Sequence, residues 1–259
     1  ERARDVLRSV IRETPVIADG KLSERLGATM WLKAENTQLA GSFKIRGAYY
    51  SLSRLTPEQR GRGVVAGSAG NHAQGVALAA RLFGVPSVIV MPEHAPLTKV
   101  TATRRFGAEV VLHGATFDDA VVYAHDLERE RDLTYIHAFN NRDVITGQGT
   151  LGLEIVDAVP DVDVVVVPIG GGGLISGIAS AVKQRRPQAR VIGVQAAGCS
   201  AVRESLRRGE PVTAPSARTI ADGIAVKRPG TLTLPLIQEL VDDVVEVDDD
   251  EIADAIAHL

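Results

Sequence analysis

The sequence predicts an α/β protein with two three-layer α/β/α domains, each built on a mostly parallel sheet. Two observations indicate this class. Short β-branched runs alternate with segments of helical periodicity along nearly the whole chain, and this alternation is typical of parallel sheets covered by helices on both faces. The pattern also falls into two blocks, at about 57–140 and from about 142 onward, which indicates two domains.

The strands are predicted from short apolar runs that are rich in valine. The run at 164–167 is entirely valine, and a continuous run of this kind favours a strand that is buried on both faces. The predicted strands cover residues 30–34, 64–66, 88–91, 110–112, 162–167, 191–194 and 244–247.

The helices are predicted from apolar residues that recur at helical spacing, which places them on one buried face. Two of these sets come shortly after predicted strands. They are Ala73, Val76, Ala77 and Ala80, and Leu174, Ile178, Ala181 and Val182. Open α/β sheets bind ligands at the carboxyl ends of their strands, so the loops before these two helices are the first candidates for a site.

The composition argues against several partners. Hydrophobic residues make up 45% and charged residues 24% of the 259 residues, and the net charge is −3. This charge gives no electrostatic basis for binding nucleic acid or an anionic membrane. No apolar run approaches the roughly 20 residues that span a bilayer. The single cysteine, Cys199, allows no internal disulfide, so we expect a cytoplasmic protein.

Consecutive glycines at 170–173 follow the valine run. Glycine lets backbone N–H groups converge on a ligand, and the helix predicted from Leu174 adds the positive end of its dipole. The segment predicts a phosphate site, with a tight strand-to-helix turn as the simpler alternative. Leu174-Ile175 in place of Lys-Ser/Thr argues against a P-loop, and Gln195 after the next strand argues against a dinucleotide.

Lys44 lies between Gly41 and Gly47 and directly follows Phe43. A lysine in an apolar pocket has a lowered pKa, which favours the free amine that a Schiff base requires. A solvated surface lysine remains the alternative on spacing alone. Arg46 is predicted to be a structural ion-pair partner.

The loop Ser68-Ala69-Gly70-Asn71-His72 follows another buried run. The simpler interpretation is that Ser68 caps the following helix. The N–H groups of the loop can also bind the carboxylate of a substrate, while the Asn71 amide bonds an oxygen on the ring of a bound cofactor. His72 is predicted to pack or to bond locally rather than to act as a base. The remaining histidines form no closely spaced set and Cys199 has no partner at ligand spacing, so we predict no metal site.

Taken together, these residues resemble the threonine dehydratase (threonine ammonia-lyase) family of fold-type II pyridoxal phosphate enzymes. Serine dehydratases and serine racemases are near relatives, and the fold is similar to that of tryptophan synthase β. The resemblance covers nearly the whole chain through segments 14–15, 31–36, 41–48, 68–75, 170–174, 219–227 and 248–252.

The resemblance implies a large phosphate-binding domain at 1–40 plus 142–259, a small domain at 41–141, and a homodimer or homotetramer. It implies that Lys44 carries pyridoxal phosphate as the internal aldimine and acts as the base at the substrate Cα. Phe43 and Gly223 would line the cofactor, and Asn71 would bond its 3′-oxygen. Backbone N–H groups of Gly170, Gly171, Gly172, Gly173 and Leu174 would hold the phosphate. Ser68, Ala69, Gly70, Asn71 and His72 would hold the substrate carboxylate.

The implied reaction converts L-threonine to 2-oxobutanoate and ammonia, and L-serine to pyruvate. Racemases of this type carry a serine, their second base, at the position of Ala69, and alanine cannot transfer a proton. They also carry acidic cation ligands where this chain has Gln195 and Ala201, so we predict no such site. The alternatives are a serine racemase or serine dehydratase, and a catalytically inactive homologue that binds the cofactor.

The family also places a serine against the pyridine nitrogen, within a Ser-Gly-Gly type segment near its C-terminus. No such segment follows Ile252, and the helix predicted from about Asp250 stops without a terminal signal. We therefore expect the chain to be a fragment that lacks a C-terminal part. A degraded, inactive homologue is the alternative.

Overall fold

The structure is a computed structural model that describes residues 1–258; Leu259, the last residue of the predicted large domain, lies outside the described residues. The chain forms two compact units. The first comprises Glu1–Ile136 with Asp157–Pro160, and the second comprises His137–Val156 with Asp161–Leu259. Residues 1–40 belong to the first unit in this division. The domain boundaries inferred from the sequence stay a prediction.

Helices and parallel strands alternate along the chain. The helices are α1 (Arg2–Leu7), α2 (Gly20–Leu26), α3 (Lys44–Ser53), α4 (Pro57–Arg62), α5 (Asn71–Phe83), α6 (Leu97–Arg105), α7 (Phe117–Glu130), α8 (Arg142–Ala158), α9 (Gly173–Arg185), α10 (Ala201–Arg208), α11 (Thr233–Leu240) and α12 (Asp249–His258). The strands are β1 (Val16–Ala18), β2 (Trp31–Lys33), β3 (Val64–Gly67), β4 (Ser87–Met91), β5 (Glu109–Leu112), β6 (Thr134–Tyr135), β7 (Val164–Pro168), β8 (Arg190–Ala196) and β9 (Asp243–Val247). Within residues 1–258, no helix combines the length and the apolar character that a membrane crossing requires.

The first unit contains a parallel sheet in the order β5-β4-β3-β6. The central strands β3 and β4 are buried along their whole length. Helix α7 packs on the sheet through Ala120, Ala124 and Leu127, which meet Val65 and Val88. Helix α5 also packs against β3 and β4, and α3 packs against α5. The predicted α/β class with parallel sheets is confirmed here.

The second unit contains a parallel sheet in the order β7-β8-β9. The prediction that the valine run is buried on both faces is wrong. Val165 and Val167 are buried, whereas Val164 and Val166 are 46% and 58% exposed. The helix α9 packs on the face of the sheet that carries Val165 and Val167, where its Ile175 approaches Gly193 of β8. A run of valines indicates extended backbone. It does not show whether a second layer of helices covers the strand.

All the predicted strands are present, with ends that differ by at most two residues. The strands β1 and β6 were not predicted. The strand β1 pairs with β2 as a small antiparallel sheet, and β6 joins the edge of β3. These strands have three and two residues, which is too short for an alternating pattern to stand out.

Gly152 marks a tight contact between α8 and α9. A Cβ atom at Gly152 would lie 2.8 Å from the Ile178 carbonyl oxygen and 3.0 Å from the Ala181 Cβ atom. We expect Gly152→Ala to lower the free energy of unfolding by about 1–3 kcal/mol, as overpacking does. Gly61→Ala is the control, since Gly61 lies in α4 with open space around it. This change should be neutral or stabilising by about 0.5–1 kcal/mol. Equal effects in urea unfolding would contradict the account.

Candidate functional site

Lys44 is the first residue of α3 and follows a tight turn. Ala40 and Gly41 both have positive φ angles, 59° and 71°, and this turn lets the helix begin directly at the lysine. The Lys44 side chain is half-buried, and its Nζ atom lies 5.3 Å from the centre of the Phe43 ring. Loss of water around the amine lowers the pKa of Lys44 from 10.5 to about 8. At pH 7 roughly a tenth of the amine is therefore uncharged, compared with a few parts in ten thousand for a lysine with the ordinary pKa.

Arg46, two residues further along α3, is completely buried and forms a bidentate ion pair with Glu35. Its Nε atom donates to Glu35 Oε2 at 2.9 Å, and its Nη2 atom donates to Glu35 Oε1 at 2.8 Å. Thr14 Oγ1 donates to the same carboxylate at 2.5 Å. The predicted structural role of Arg46 is confirmed, and the pair ties the first turn of α3 to the segment before it.

The loop after β3 is both a helix cap and an open surface. Ser68 Oγ accepts hydrogen bonds from the backbone N–H groups of Gly70 and Ala73, each at 3.3 Å. Ala69 and Gly70 are half-buried and Asn71 is exposed. A Cβ atom at Gly70 would meet no other atom within 4 Å. The capping role of Ser68 is confirmed, and the space over Gly70 leaves room for a ligand at the start of α5.

The His72 ring is buried and is used within the protein. Its Nε2 atom lies 2.8 Å from the carbonyl oxygen of Ile136, at the end of β6. A carbonyl oxygen only accepts, so this ring nitrogen must carry a proton and donate. The burial of His72 agrees with the prediction that it packs within the protein, but its hydrogen-bond partner lies 64 residues away and not in its own loop.

The four glycines of the second unit are closely surrounded by protein atoms. Gly172 has φ +96°, in the region that favours glycine. A Cβ atom at Gly171 would lie 2.4 Å from the Phe139 ring, and one at Gly173 would lie 2.8 Å from the Phe139 Cβ atom. A Cβ atom at Gly170 would lie 3.2 Å from the Ile224 Cα atom. Close packing therefore explains why each of these positions is glycine even without a ligand. The number of glycines alone does not establish a phosphate site.

Thr233, the first residue of α11, fixes the conformation of this glycine loop. Its buried Oγ1 atom donates to the Gly171 carbonyl at 2.7 Å and accepts from the Gly230 N–H at 3.0 Å. The loop then leads into α9, whose first turn includes the half-buried Leu174. The result is a rigid helix N-terminus of the kind that binds anions.

Gly223 lies in a segment that reaches the same loop. It is exposed, and a Cβ atom there would meet nothing within 4 Å. The adjacent Ile224 approaches Gly170. Asp249, at the start of α12, holds the chain before Gly223, since its carboxylate accepts from Thr219 Oγ1 at 2.6 Å. The neighbouring Asp248 caps α12 by accepting from the Glu251 N–H at 2.8 Å.

The supporting residues of both glycine-containing loops were not identified from the sequence. Phe139 and Thr233 lie about 30 to 60 positions from the glycine loop that they support, and neither belongs to a recognisable motif. Glu35 lies 11 positions before Arg46, within segment 31–36, but its pairing with Arg46 was not predicted. Within residues 1–258, no cluster of three or more His, Cys, Asp or Glu residues is placed to hold a metal ion.

Gln195 accepts from the N–H groups of Val202 and Arg203, each at 3.2 Å, and so caps α10.

Comparison with known proteins gives the family. Residues 7–259 match the family described as pyridoxal-phosphate dependent enzyme, and the chain belongs to this family. The predicted family, fold class and cofactor are thereby confirmed. The roles of the individual site residues stay predictions.

The similar proteins include lyases and a racemase. The L-threonine ammonia-lyase of Thermotoga maritima is 51% identical over 259 residues, which are 100% of this chain and 65% of that protein. The processed form of threonine deaminase isoform 2 from Solanum lycopersicum has a TM-score of 0.94 at 43% identity, over 97% of this chain and 73% of that chain. Maize serine racemase has a TM-score of 0.96 at 39% identity, over 99% of this chain and 78% of that chain. The chain spans less than two thirds of the length of the Thermotoga protein.

The lowered pKa of Lys44 predicts a pH-dependent stability difference. In the unfolded chain the pKa is about 10.5, and in the folded chain it is about 8. The folded state is therefore penalised below pH 8, and the penalty disappears as pH rises above 10.5. We expect Lys44→Met to raise the unfolding free energy of the cofactor-free chain by up to about 3 kcal/mol near pH 7 and about 1.5 kcal/mol near pH 9.5. Urea unfolding at both pH values checks this; a gain that is constant with pH would contradict it.

The buried ion pair predicts strong coupling between Arg46 and Glu35. We expect Glu35→Ala to lower the free energy of unfolding by about 3–5 kcal/mol, because the completely buried guanidinium loses its bidentate contact. Arg46→Ala should cost less, because the Glu35 carboxylate is partly exposed and keeps its hydrogen bond from Thr14. The double variant should lose clearly less than the sum of the two. Arg46→Lys is the matched control and should recover only part of the loss, since lysine cannot form the bidentate contact. Additive losses would show that the pair is not coupled.

Proposed function

We propose that this chain carries the pyridoxal phosphate site of a threonine ammonia-lyase, which converts L-threonine to 2-oxobutanoate and ammonia and also acts on L-serine. The observation that carries the proposal is the desolvated amine of Lys44, whose pKa is lowered to about 8. At neutral pH the uncharged, nucleophilic form of this amine is then roughly three hundredfold more abundant than for a lysine with the ordinary pKa. The 51% identity to an L-threonine ammonia-lyase supports the choice of substrate.

The residues of the chain fit this cofactor. The Oγ atom of Ser42, two residues before Lys44, is buried and has no hydrogen-bond partner among the described residues. This hydroxyl can donate a hydrogen bond to a polar group of a bound cofactor. In the second unit, the helix start at Gly173 suits a phosphate by its dipole and N–H groups. An amine for an aldehyde and a helix start for a phosphate are the two functions that pyridoxal phosphate requires.

Each predicted site residue then has a chemical role. When bound, pyridoxal phosphate supplies an electron sink that makes the substrate Cα proton removable. Lys44 Nζ accepts this proton, which its lowered pKa permits. Phe43 keeps water away from the amine.

The remaining predicted residues bind and orient. Asn71 binds the 3′-oxygen of the cofactor, and the N–H groups of residues 68–72 hold the substrate carboxylate. Gly170, Gly171, Gly172, Gly173 and Leu174 bind the phosphate through their N–H groups, and Gly223 lines the ring.

A serine racemase is the second candidate, because the maize serine racemase structure is similar to this chain with a TM-score of 0.96. Ala69 favours elimination. Racemisation needs a second proton donor on the opposite face of Cα, and the methyl group of Ala69 cannot supply one. Ala69 is half-buried beside the open space over Gly70, so a hydroxyl introduced there would have access to a ligand.

This assignment predicts a gain of function. We expect the wild-type protein to form pyruvate from L-serine without measurable D-serine, and Ala69→Ser to form D-serine in addition. Ala69→Gly is the matched control, since it changes the size of the side chain without adding a hydroxyl. Chiral chromatography of the reaction mixture measures both products. D-serine from the wild-type protein at a rate similar to elimination would refute the role of Ala69.

The function itself is tested by trapping and turnover. Borohydride reduction of the protein loaded with pyridoxal phosphate, followed by peptide mass spectrometry, should place a pyridoxyl group on Lys44. L-threonine should then yield 2-oxobutanoate, and Lys44→Ala should lower the rate by about a thousandfold. Label on another lysine would overturn the assignment of Lys44. A labelled Lys44 without turnover of threonine or serine would favour the inactive homologue.

Two further features are part of the proposal. The family resemblance supports a homodimer or homotetramer, and the buried, free Cys199 is compatible with a reducing cytoplasm. Gel filtration with light scattering tests the first, and fractionation of cells tests the second.

A further inference from the structure

Gly75 is a point of close contact between the helix that begins with Lys44 and the helix that begins with Asn71. It lies one turn after Asn71 in α5 and is buried. A Cβ atom at Gly75 would lie 3.1 Å from the carbonyl carbon of Lys44, 3.2 Å from the backbone nitrogen of Ile45 and 3.2 Å from the Cβ atom of Lys44. Contacts this short require the neighbour to move by a few tenths of an ångström. The backbone of α5 thus rests directly on the first turn of α3.

This contact is placed to control two site residues at once. On its α3 side the contacted atoms belong to Lys44 itself, so any displacement moves the point from which the amine extends. On its α5 side Gly75 is four residues from Asn71, and residues at i and i+4 share one helix face. A displacement of either helix at this point therefore changes the separation between the lysine and the asparagine.

We propose that Gly75 is a positioning residue, which sets the distance between the Lys44 amine and the Asn71 amide. The inference rests on the proposed function, in which both groups contact one cofactor. Gly75 itself touches neither substrate nor cofactor, and it acts through the backbone of Lys44. The absence of a side chain is the property that matters, because even one methyl group would separate the two helix starts.

The test compares Gly75→Ala with Gly152→Ala, a glycine that is more tightly crowded, between α8 and α9, and with Gly61→Ala, which has open space. In the loaded protein, we expect Gly75→Ala to lower kcat for L-threonine by about tenfold, as a small misplacement does, with little change in KM. It should also shift the pH midpoint of the visible absorbance band of the bound cofactor. Gly152→Ala should lose stability without either change, and Gly61→Ala should resemble the wild type.

A second readout does not require the cofactor. In the cofactor-free chain, the pH dependence of Lys44 labelling by an amine reagent reports its pKa. Gly75→Ala should raise this pKa from about 8 towards its ordinary value, because the separated helices admit water. This readout distinguishes the two hypotheses, since it tests Gly75 even if the wild-type protein fails the trapping experiment.

Three results would overturn the positioning role. One is a Gly75→Ala variant with wild-type kcat and wild-type labelling of Lys44. Another is a Gly152→Ala variant that changes the absorbance midpoint as strongly. The third is a Gly75→Ala variant that does not fold, because that result would assign Gly75 to the stability of the unit.

Discussion

The desolvation of the Lys44 amine is the constraint on which the candidate site depends. A lysine deprived of water holds its proton less tightly, and the folded chain bears the cost of keeping it there. Three features of the first unit surround this lysine. A turn through Ala40 and Gly41 lets α3 begin at the lysine, the Phe43 ring lies beside the amine, and α5 rests on the same turn through Gly75. The chemistry proposed for the lysine is a consequence of this packing.

Arg46 is a second cation close to Lys44, and its charge is neutralised within the protein. The guanidinium is completely buried, two residues from the lysine, and its charge is balanced by the bidentate contact with Glu35. A buried cation without such a partner would be costly. The pair also fixes the start of α3 to the segment that carries Glu35. The ion pair therefore helps to fix the position of Lys44 without contacting any reacting group.

The sequence predicted the order of strands and helices well, because β-branched runs and helical spacing are local signals. It also singled out Lys44, Asn71 and the glycines as candidate site residues, since each lies in a compact motif at the end of a strand or the start of a helix. The sequence could not predict that Val166 is exposed, because a run of valines does not show which elements pack against the strand. Thr233 and Phe139 were missed for a related reason, as their contacts with the glycine loop join residues about 30 to 60 positions apart.

The glycine loop illustrates the limits of a motif. Its composition suggested a phosphate site, yet crowding by Phe139, Ile224 and Thr233 requires glycine at these positions even without a ligand. The loop is compatible with phosphate binding by its position at the start of α9. The stronger evidence for the cofactor is the state of the lysine, together with membership of the family.

The measurement that tests this account most directly is the pKa of the Lys44 amine. Titration of the cofactor-free chain labelled with nitrogen-15 at the lysine side chains, with the Lys44 signal assigned by its loss in Lys44→Met, gives this value by NMR. The account predicts a midpoint of about 8. A midpoint near the ordinary value of 10.5 would mean that water reaches the amine, and it would contradict the central claim.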